Sequence, residues 1–227
     1  MGECLRNNNG TDFFSLWRFI FLNILILGAT GRVGAHIVAH ALKDNHKVTL
    51  IVRNPNKIQL DSENITVIEG NVLYTNDIAK AMPGNDVVIS ALNTDGTATL
   101  SESMPLIIEA MERENIKRII TVGTAGILQS RINPHLLRYQ SSESRQKSTR
   151  ASKEHYSVYD LLNQSTLDWT IVCPTYLSNE EAVGEYRVER NYLPDGGLKI
   201  SIQDTAEFTY NQIYSDDYIK THVGIAY

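Results

Sequence analysis

A glycine-rich turn between an apolar run and an amphipathic segment constrains this 227-residue chain more than any other feature. Residues 23–28 read NILILG, a short apolar run typical of a strand buried on both faces. The sequence GATGRVG (28–34) follows and opens a segment in which apolar residues recur at helical spacing. Strand, tight turn and helix in this order are the context in which a glycine-rich pattern binds a dinucleotide.

The three glycines have different expected roles. Gly28 permits the sharp turn, Gly31 lets the backbone approach a pyrophosphate, and Gly34 lets helix and strand pack closely. The start of the helix adds free amides and a partial positive charge. A turn that packing alone demands, without a ligand, is the alternative. The residues predicted to bind the phosphates are Gly28, Ala29, Thr30, Gly31, Arg32, Val33 and Gly34.

The residue after the second predicted strand distinguishes between two cofactors. That strand covers residues 47–52 and is followed by Arg53, about 20 residues beyond Gly34. A site selective for NAD places an acidic residue here to accept hydrogen bonds from the ribose 2′-hydroxyl. Arg53 cannot accept, but its planar guanidinium suits a 2′-phosphate, and Arg32 could add a second positive group. NADP(H) is therefore the predicted cofactor, with a solvated arginine at a strand end as the alternative.

Strand and helix patterns alternate along most of the chain. This alternation predicts an α/β fold, a Rossmann-like doubly wound parallel sheet with a small C-terminal elaboration. In that elaboration, residues 185–192 and 198–203 are predicted to form a hairpin around the turn at 194–197, and Ser201 with Asp204 resembles a capping box. The predicted strands are 23–28, 47–52, 65–68, 86–91, 118–123 and 168–173, and the predicted helices are 32–44, 75–82, 100–115 and 145–165.

The first residues and the composition bear on the extent of the domain, on the kind of partner and on the cellular location. Residues 1–21 look unlike the rest and are predicted to be a non-native or disordered extension of a single domain at 22–227, although a genuine short arm is an equal alternative. A net charge of −5 argues against a nucleic-acid partner bound through broad positive potential. Two cysteines favour a reducing, cytoplasmic location, and no apolar run is long enough to span a membrane.

Five short motifs carry a family resemblance over about residues 22–227. They are GATGRVG (28–34), VRNPNKI (52–58), EGNV (69–72), SALN (90–93) and DWTIVCP (168–174). With them the chain resembles atypical short-chain dehydrogenases/reductases, in the NAD(P)-binding group that contains the biliverdin-IXβ/flavin reductases and the NmrA-like proteins. The resemblance is specific for fold and dinucleotide binding, and much less specific for the substrate.

The resemblance implies further site residues. It places the 2′-phosphate at Arg53 and a serine or threonine near the nicotinamide at Thr124. His155 resembles the histidine that some relatives place over the substrate pocket. Each has a structural alternative, since Thr124 could satisfy backbone groups and His155 could be a surface histidine of its helix. The remaining implied cofactor contacts are Asn71 and Val72 at the adenine, Ala91 and Leu92 near the ribose and nicotinamide, and Pro174 beside the nicotinamide.

One departure from the family decides the predicted reaction. Classical short-chain dehydrogenases/reductases use a Tyr-x-x-x-Lys pair for proton donation, and no such pair follows Thr124. Hydride transfer from NADPH to a flavin, quinone or bilin-like acceptor demands less of the protein, because a conjugated acceptor delocalises the charge. A non-catalytic NADP(H) sensor of the NmrA-like type is the alternative, and a sugar-nucleotide epimerase is disfavoured by the missing pair.

Two other groups of residues attract attention. His36 and His40 share a helical face, but no further ligand completes a set, so no metal site is predicted. The stretch 138–153 is rich in arginine and lysine and contains Glu143. It could steer an anionic substrate, but a mobile, solvated loop at the active site is the expected state.

Overall fold

The computed structural model describes residues 21–94, 96–144 and 148–227. The predicted extension at 1–21 lies outside these residues apart from Phe21. Within them the strands are β1 (Asn23–Leu27), β2 (Lys47–Val52), β3 (Ile65–Glu69), β4 (Val87–Ser90), β5 (Arg118–Val122), β6 (Asp168–Pro174), β7 (Tyr176–Ser178), β8 (Arg187–Arg190), β9 (Lys199–Ser201) and β10 (Thr221–Ala226). The helices are α1 (Arg32–Lys43), α2 (Thr75–Ala81), α3 (Thr99–Arg113), α4 (Arg150–Gln164) and α5 (Ile202–Asn211).

Eight of these strands form one sheet in the order β3-β2-β1-β4-β5-β6-β10-β8. All neighbours are parallel except β8, which runs antiparallel to β10 at the edge. The first six positions reproduce the 3-2-1-4-5-6 order of a Rossmann sheet. The predicted fold class is confirmed, and the six predicted strands and four predicted helices are all present. The helix predicted at 145–165 begins at Arg150, and residues 145–147 lie outside the described chain.

Hydrophobic layers cover both faces of the sheet. In β1, Leu25 and Leu27 pack on one side with α2, α3 and α4, whereas Ile24 and Ile26 pack on the other side with α1 and α5. All four side chains are fully buried. Burial on both faces explains why the strand reads as a continuous apolar run rather than an alternating one.

The predicted C-terminal hairpin is wrong. β8 pairs with β10, and β9 pairs in parallel with β7 in a separate two-stranded sheet. The turn itself exists, because the N–H of Gly197 donates to the carbonyl of Pro194 at 2.9 Å. A Cβ added to Gly224 would lie 2.1 Å from the carbonyl oxygen of Tyr192. The chain leaving β8 therefore packs tightly against β10 and does not fold back on its own strand.

Ser201 is the N-cap of α5, but the reciprocal bond of the predicted capping box is absent, because the N–H of Ser201 donates to the hydroxyl of Tyr227 at 3.0 Å. Ser201 Oγ accepts from the N–H of Asp204 at 2.9 Å and donates to its carboxylate at 2.8 Å. That carboxylate also accepts from the N–H groups of Val183 and Gly184 and from the hydroxyl of Tyr227. Burial raises the pKa of Asp204, but these hydrogen bonds, with that from Tyr227 the largest, hold it below its ordinary value. Asp204 thus fastens the segment after β7 to α5.

Candidate functional site

The glycine-rich turn joins β1 to α1 at the carboxyl edge of the sheet. Gly28 has a φ of +80°, and a Cβ there would lie 2.4 Å from the carbonyl oxygen of Ala91. A Cβ on Gly34 would lie 2.1 Å from the carbonyl oxygen of Gly28. Packing therefore demands both glycines. At the exposed Gly31 the closest atom would be 3.1 Å away, so protein contacts constrain this position less and its backbone is accessible to a ligand.

The start of α1 fits an anionic ligand. Gly31 is the N-cap and provides no side-chain cap, and the first turn holds no acidic residue. The first amides of a helix lack partners within the helix and carry a partial positive charge. Thr30, Gly31 and Arg32 are exposed at this end, whereas Ala29 and Val33 are buried in the core. The pyrophosphate of a dinucleotide would thus contact backbone groups and Thr30. The buried side chains of Ala29 and Val33 pack in the core and hold the turn in place.

The two predicted phosphate arginines are both exposed. Arg53 follows β2, the strand beside β1. The guanidinium of Arg32 donates to Asn179 Oδ1 at 3.4 Å, which connects the start of α1 to the segment after β7. The exposed position of Arg53 and the contact of Arg32 with Asn179 do not distinguish NADP from NAD, so the choice of NADP(H) stays a prediction.

The predicted adenine contacts follow β3. Asn71 Oδ1 accepts from the N–H of Leu73 at 3.1 Å, and the N–H of Asn71 donates to Asp77 at 2.9 Å. One lone pair of the amide oxygen is therefore used within its own turn, and one remains for a ligand. The side chain of Val72 is only 7% exposed and belongs to the hydrophobic core. The predicted adenine contact of Val72 would therefore have to come from its backbone.

Ala91 and Leu92 follow β4 at the point where the strand order reverses. The N–H of Ala91 donates to the carbonyl of Leu27 at 2.9 Å, and its own carbonyl lies against Gly28. Both side chains are half-buried. Ligands of open α/β sheets bind in the crevice at this reversal. The structure thus brings Ala91, Leu92 and the glycine-rich turn together.

A cavity of about 580 Å³ lies at the carboxyl ends of β5 and β6. Sites for small organic ligands commonly have volumes of roughly 300–1,000 Å³. The turn after β5, part of the loop at 131–144, the segment after β6 and the turn at 193–198 provide its walls. Two predicted site residues, Thr124 and Pro174, line it together.

Thr124 caps a short helical turn and also lines the cavity. Its Oγ1 accepts from the N–H of Gly126 at 3.4 Å, which caps the short helical turn Ala125–Ile127. The same residue lines the cavity next to Pro174, because β5 and β6 are neighbours in the sheet. Within the described chain no group accepts from the hydroxyl hydrogen of Thr124. A ligand in the cavity could therefore accept from that hydroxyl.

His155 lies on α4 and is not among the described residues that line the cavity. Burial lowers the pKa of its half-buried ring to about 4, and the carboxylate of Glu154 opposes this shift only in part. Glu154 accepts from the hydroxyl of Ser101 at 2.9 Å, which ties this part of α4 to α3. His155 is consequently uncharged at neutral pH. Its predicted catalytic role stays a prediction.

Charged residues also line the cavity. Arg138 and Glu143 belong to the basic stretch 138–153, which the sequence predicts to lie at the active site, whereas no sequence feature points to Arg131. Arg131 and Arg138 line it, and Arg138 forms an ion pair with Glu143 at 2.9 Å. The side chains of this pair are 18% and 11% exposed, so the expectation of a solvated loop is wrong for them. The arginines are seven positions apart, Arg131 in an irregular loop and Arg138 at the start of the short helical turn Arg138–Gln140. No periodic pattern could have revealed that they share a cavity.

Metal-binding and membrane-spanning features are both absent from residues 21–94, 96–144 and 148–227. No three histidine, cysteine, aspartate or glutamate side chains there are grouped so that they could hold a metal ion. His40, one of the two spaced histidines, instead stacks on Tyr210 with ring centroids 5.6 Å apart. In the same residues, no helix has the length and apolar character needed to cross a bilayer.

Solved structures show the same fold. A Bacteroides thetaiotaomicron protein assigned as an epimerase superposes with a TM-score of 0.80, at 25% identity over 92% of this chain and 98% of that one. A Streptococcus pneumoniae protein assigned as an NADH-flavin reductase gives a TM-score of 0.76, at 24% identity over 90% of this chain and 99% of that one. These similarities support the Rossmann architecture described above.

Sequence comparison gives the family. The isoflavone reductase homolog IRL of Zea mays is 30% identical over 104 residues, which are 42% of this chain and 33% of that protein. The matched segment thus spans about a third of the maize relative. The NAD(P)H-binding family matches residues 28–216, from the first glycine of the turn to beyond the cavity. With its glycine-rich turn, uncapped helix and Rossmann strand order, the chain belongs to the NAD(P)H-binding family.

Proposed function

We propose that this protein is an NADPH-dependent reductase that transfers hydride to a planar aromatic or conjugated acceptor, such as a flavin, a quinone or a bilin-like molecule. The cavity beside Thr124 and Pro174 is the observation that carries the proposal. It lies at the end of β5, two strands from the turn after β1. At about 4.8 Å per strand, this separation is about 10 Å. A dinucleotide with its pyrophosphate at α1 would reach the cavity with its nicotinamide.

The chain's own residues would bind and orient the reactants. When bound, the nicotinamide supplies the hydride, so the protein needs to provide position and surroundings. The hydroxyl of Thr124 would donate to the carboxamide or to the acceptor. Tyr176, which lines the cavity and is 72% exposed, would cover one face of a planar ring.

The proposed source of the proton rests on the position of His155, which is not among the described residues that line the cavity, and on its lowered pKa. A histidine with a pKa of about 4 is almost entirely neutral at pH 7 and donates a proton poorly there. We therefore propose solvent as the proton source and a positioning role for His155. A loss of turnover of about 10²-fold or more in His155→Ala would instead support proton donation by this residue.

Two further observations support the proposal. The maize relative is named an isoflavone reductase homolog, which favours a reductase without specifying the acceptor. Cys173 is a buried free thiol, and burial raises its pKa, so we propose no redox role for it. We also propose a cytoplasmic location on the low cysteine content of the whole sequence.

The proposed function is tested by NADPH oxidation with a panel of acceptors: FMN, menadione and biliverdin. Turnover with any of them supports the reductase. Tight NADPH binding without turnover selects the NmrA-like sensor, in which the dinucleotide regulates a protein partner. Absence of NADPH binding contradicts both. Thr124→Val serves as the variant whose turnover should fall while NADPH binding is retained.

The proposed preference for NADP(H) is tested by Arg53→Ala. A charge-assisted hydrogen bond to a phosphate contributes about 1.5–3 kcal/mol, so NADPH affinity should fall about 10- to 150-fold. NADH lacks the 2′-phosphate, and its affinity should change little. Arg113→Ala, at the exposed end of α3, is the matched control. Equal losses for both cofactors in Arg53→Ala would show that Arg53 does not read the phosphate.

A further inference from the structure

Two arginines of the cavity are held by one carboxylate. Glu143 accepts from Arg138 Nη1 at 2.9 Å through one oxygen and from the main-chain N–H of Arg131 at 2.9 Å through the other. Burial alone would raise the pKa of Glu143, but hydrogen bonds, led by that from Ser130, and the charge of Arg138 lower it. Glu143 is therefore ionised at neutral pH, and it fixes both arginines in the cavity wall.

The guanidinium of Arg131 is also fixed. Its Nη2 donates to Glu189 and, at 3.1 Å, to the carbonyl of Leu193, and its Cζ lies 4.9 Å from the centroid of the Tyr192 ring. In the part of the chain that the structure describes, no group accepts from Nε or Nη1 of Arg131. The same is true of Nε and Nη2 of Arg138. Two positioned guanidinium groups thus retain N–H donors for a ligand in one cavity.

The proposed reaction gives these donors a use, so their role rests on the proposed function. Hydride transfer oxidises NADPH to NADP⁺ and reduces the acceptor by two electrons. A new bond to hydrogen forms on the acceptor, and one carbonyl oxygen takes the negative charge until a solvent proton neutralises it. An arginine stays charged at any relevant pH and binds oxyanions through paired N–H groups. Donors already in place where charge develops stabilise a transition state strongly.

We propose that Arg131 and Arg138 form an oxyanion-binding pair for the hydride acceptor. The cavity then prefers acceptors with an oxygen that is, or becomes, negatively charged beside these two side chains. In this proposal the two arginines provide the charge stabilisation that the missing Tyr-x-x-x-Lys pair would otherwise provide. Glu143 acts as a positioning residue, because its carboxylate accepts hydrogen bonds from three protein donors, one on Oε1 and two on Oε2.

A matched pair of quinones tests the proposal without turnover. 2-Hydroxy-1,4-naphthoquinone is an acid that is ionised at neutral pH, whereas 2-methoxy-1,4-naphthoquinone has nearly the same shape and no charge. Dissociation constants are measured by quenching of protein fluorescence in the presence of NADP⁺. The hydroxy compound should bind about 10-fold or more tightly, which is the effect of one charge-assisted hydrogen bond.

Variants assign the preference to the two arginines. Arg138→Met and Arg131→Met should each remove most of the preference and change the affinity for the methoxy compound less than about 3-fold, since only the charge interaction is lost. Arg138→Lys, which keeps the charge, should restore part of it. Arg113→Met, outside the cavity, should leave both affinities unchanged. Arg131 is partly exposed, so its variant keeps the test open if Arg138→Met does not fold.

Three results would overturn the oxyanion-binding pair. They are equal affinity for both quinones in the wild type, no binding of either, and a preference that survives both methionine variants. The proposed function fails by a different measurement, namely absence of NADPH oxidation with the acceptor panel. Turnover of menadione without an anion preference would leave the reductase in place and reject the role of the arginines.

Discussion

Replacing the buried His222 by phenylalanine should make the protein markedly more resistant to mild acid. The ring lies on β10, is 9% exposed, and packs with Tyr159 and Trp169 at centroid distances of 4.2 and 5.7 Å. Its Nε2 has no hydrogen-bond partner in the described part of the chain. Burial lowers the pKa of His222 to about 4. The folded protein therefore holds this histidine uncharged through most of the acidic range.

The sign and size of the effect follow from the two pKa values. A histidine in the unfolded chain has a pKa of about 6.5. Because the folded pKa is lower, the unfolded state takes up the proton first as the pH falls, and the folded state loses stability from about pH 6.5 down to about pH 4. Between about pH 7 and about pH 4.5, His222 alone should reduce the free energy of unfolding by about 2 kcal/mol.

Urea unfolding at the two pH values measures this effect. In His222→Phe the loss of unfolding free energy on acidification should be smaller than in the wild type by about 2 kcal/mol. His135→Ala, at an exposed position of the cavity loop, controls for the removal of any histidine. His222→Leu provides a second apolar replacement if the phenylalanine does not fit. An unchanged pH dependence in both variants would refute the reasoning.

Three further results are expected. Gly34→Ala should lower the free energy of unfolding by about 1–3 kcal/mol, because its Cβ would meet the Gly28 carbonyl, and thermal unfolding measures this. Asp204→Asn should destabilise the protein at neutral pH, and the difference should fade as the pH falls through the lowered pKa of the wild-type carboxyl, which urea unfolding against pH would show. Thr124→Val should reduce turnover with NADPH binding retained, whereas a normal rate would make Thr124 purely structural.

The parts of the structure that depend on local patterns could be predicted from the sequence. The glycine-rich turn, the apolar runs and the amphipathic helices each have a short-range signature, and together they determine the Rossmann order. The C-terminal pairing could not be predicted in this way. The turn at 194–197 looks like a hairpin turn, but the partner of β8 is β10, some thirty residues later. β10 itself, THVGIA, includes a histidine and a glycine, which weaken its strand pattern.

The residues of the candidate site also fall into two groups: those that could be recognised in the sequence and those that only tertiary contacts bring to the cavity. Gly28 could be identified from its own glycine-rich motif. Ala91, Thr124 and Pro174, which lie at or shortly after the carboxyl ends of β4, β5 and β6, are implied by the family resemblance. Arg131 and Arg138 reach the cavity only through Glu143 and a loop whose path depends on tertiary contacts. No spacing in the sequence encodes that path.

The place of β10 in the sheet has a consequence for how the chain acquires its structure during synthesis. β1 to β6 can assemble roughly in the order in which the ribosome produces them, each new strand finding a neighbour already made. β8 cannot, because the strand it joins is translated later and is inserted between β6 and β8. A nascent chain that ends before Thr221 therefore leaves the edge of β6 unpaired, and such an edge is a site for aggregation.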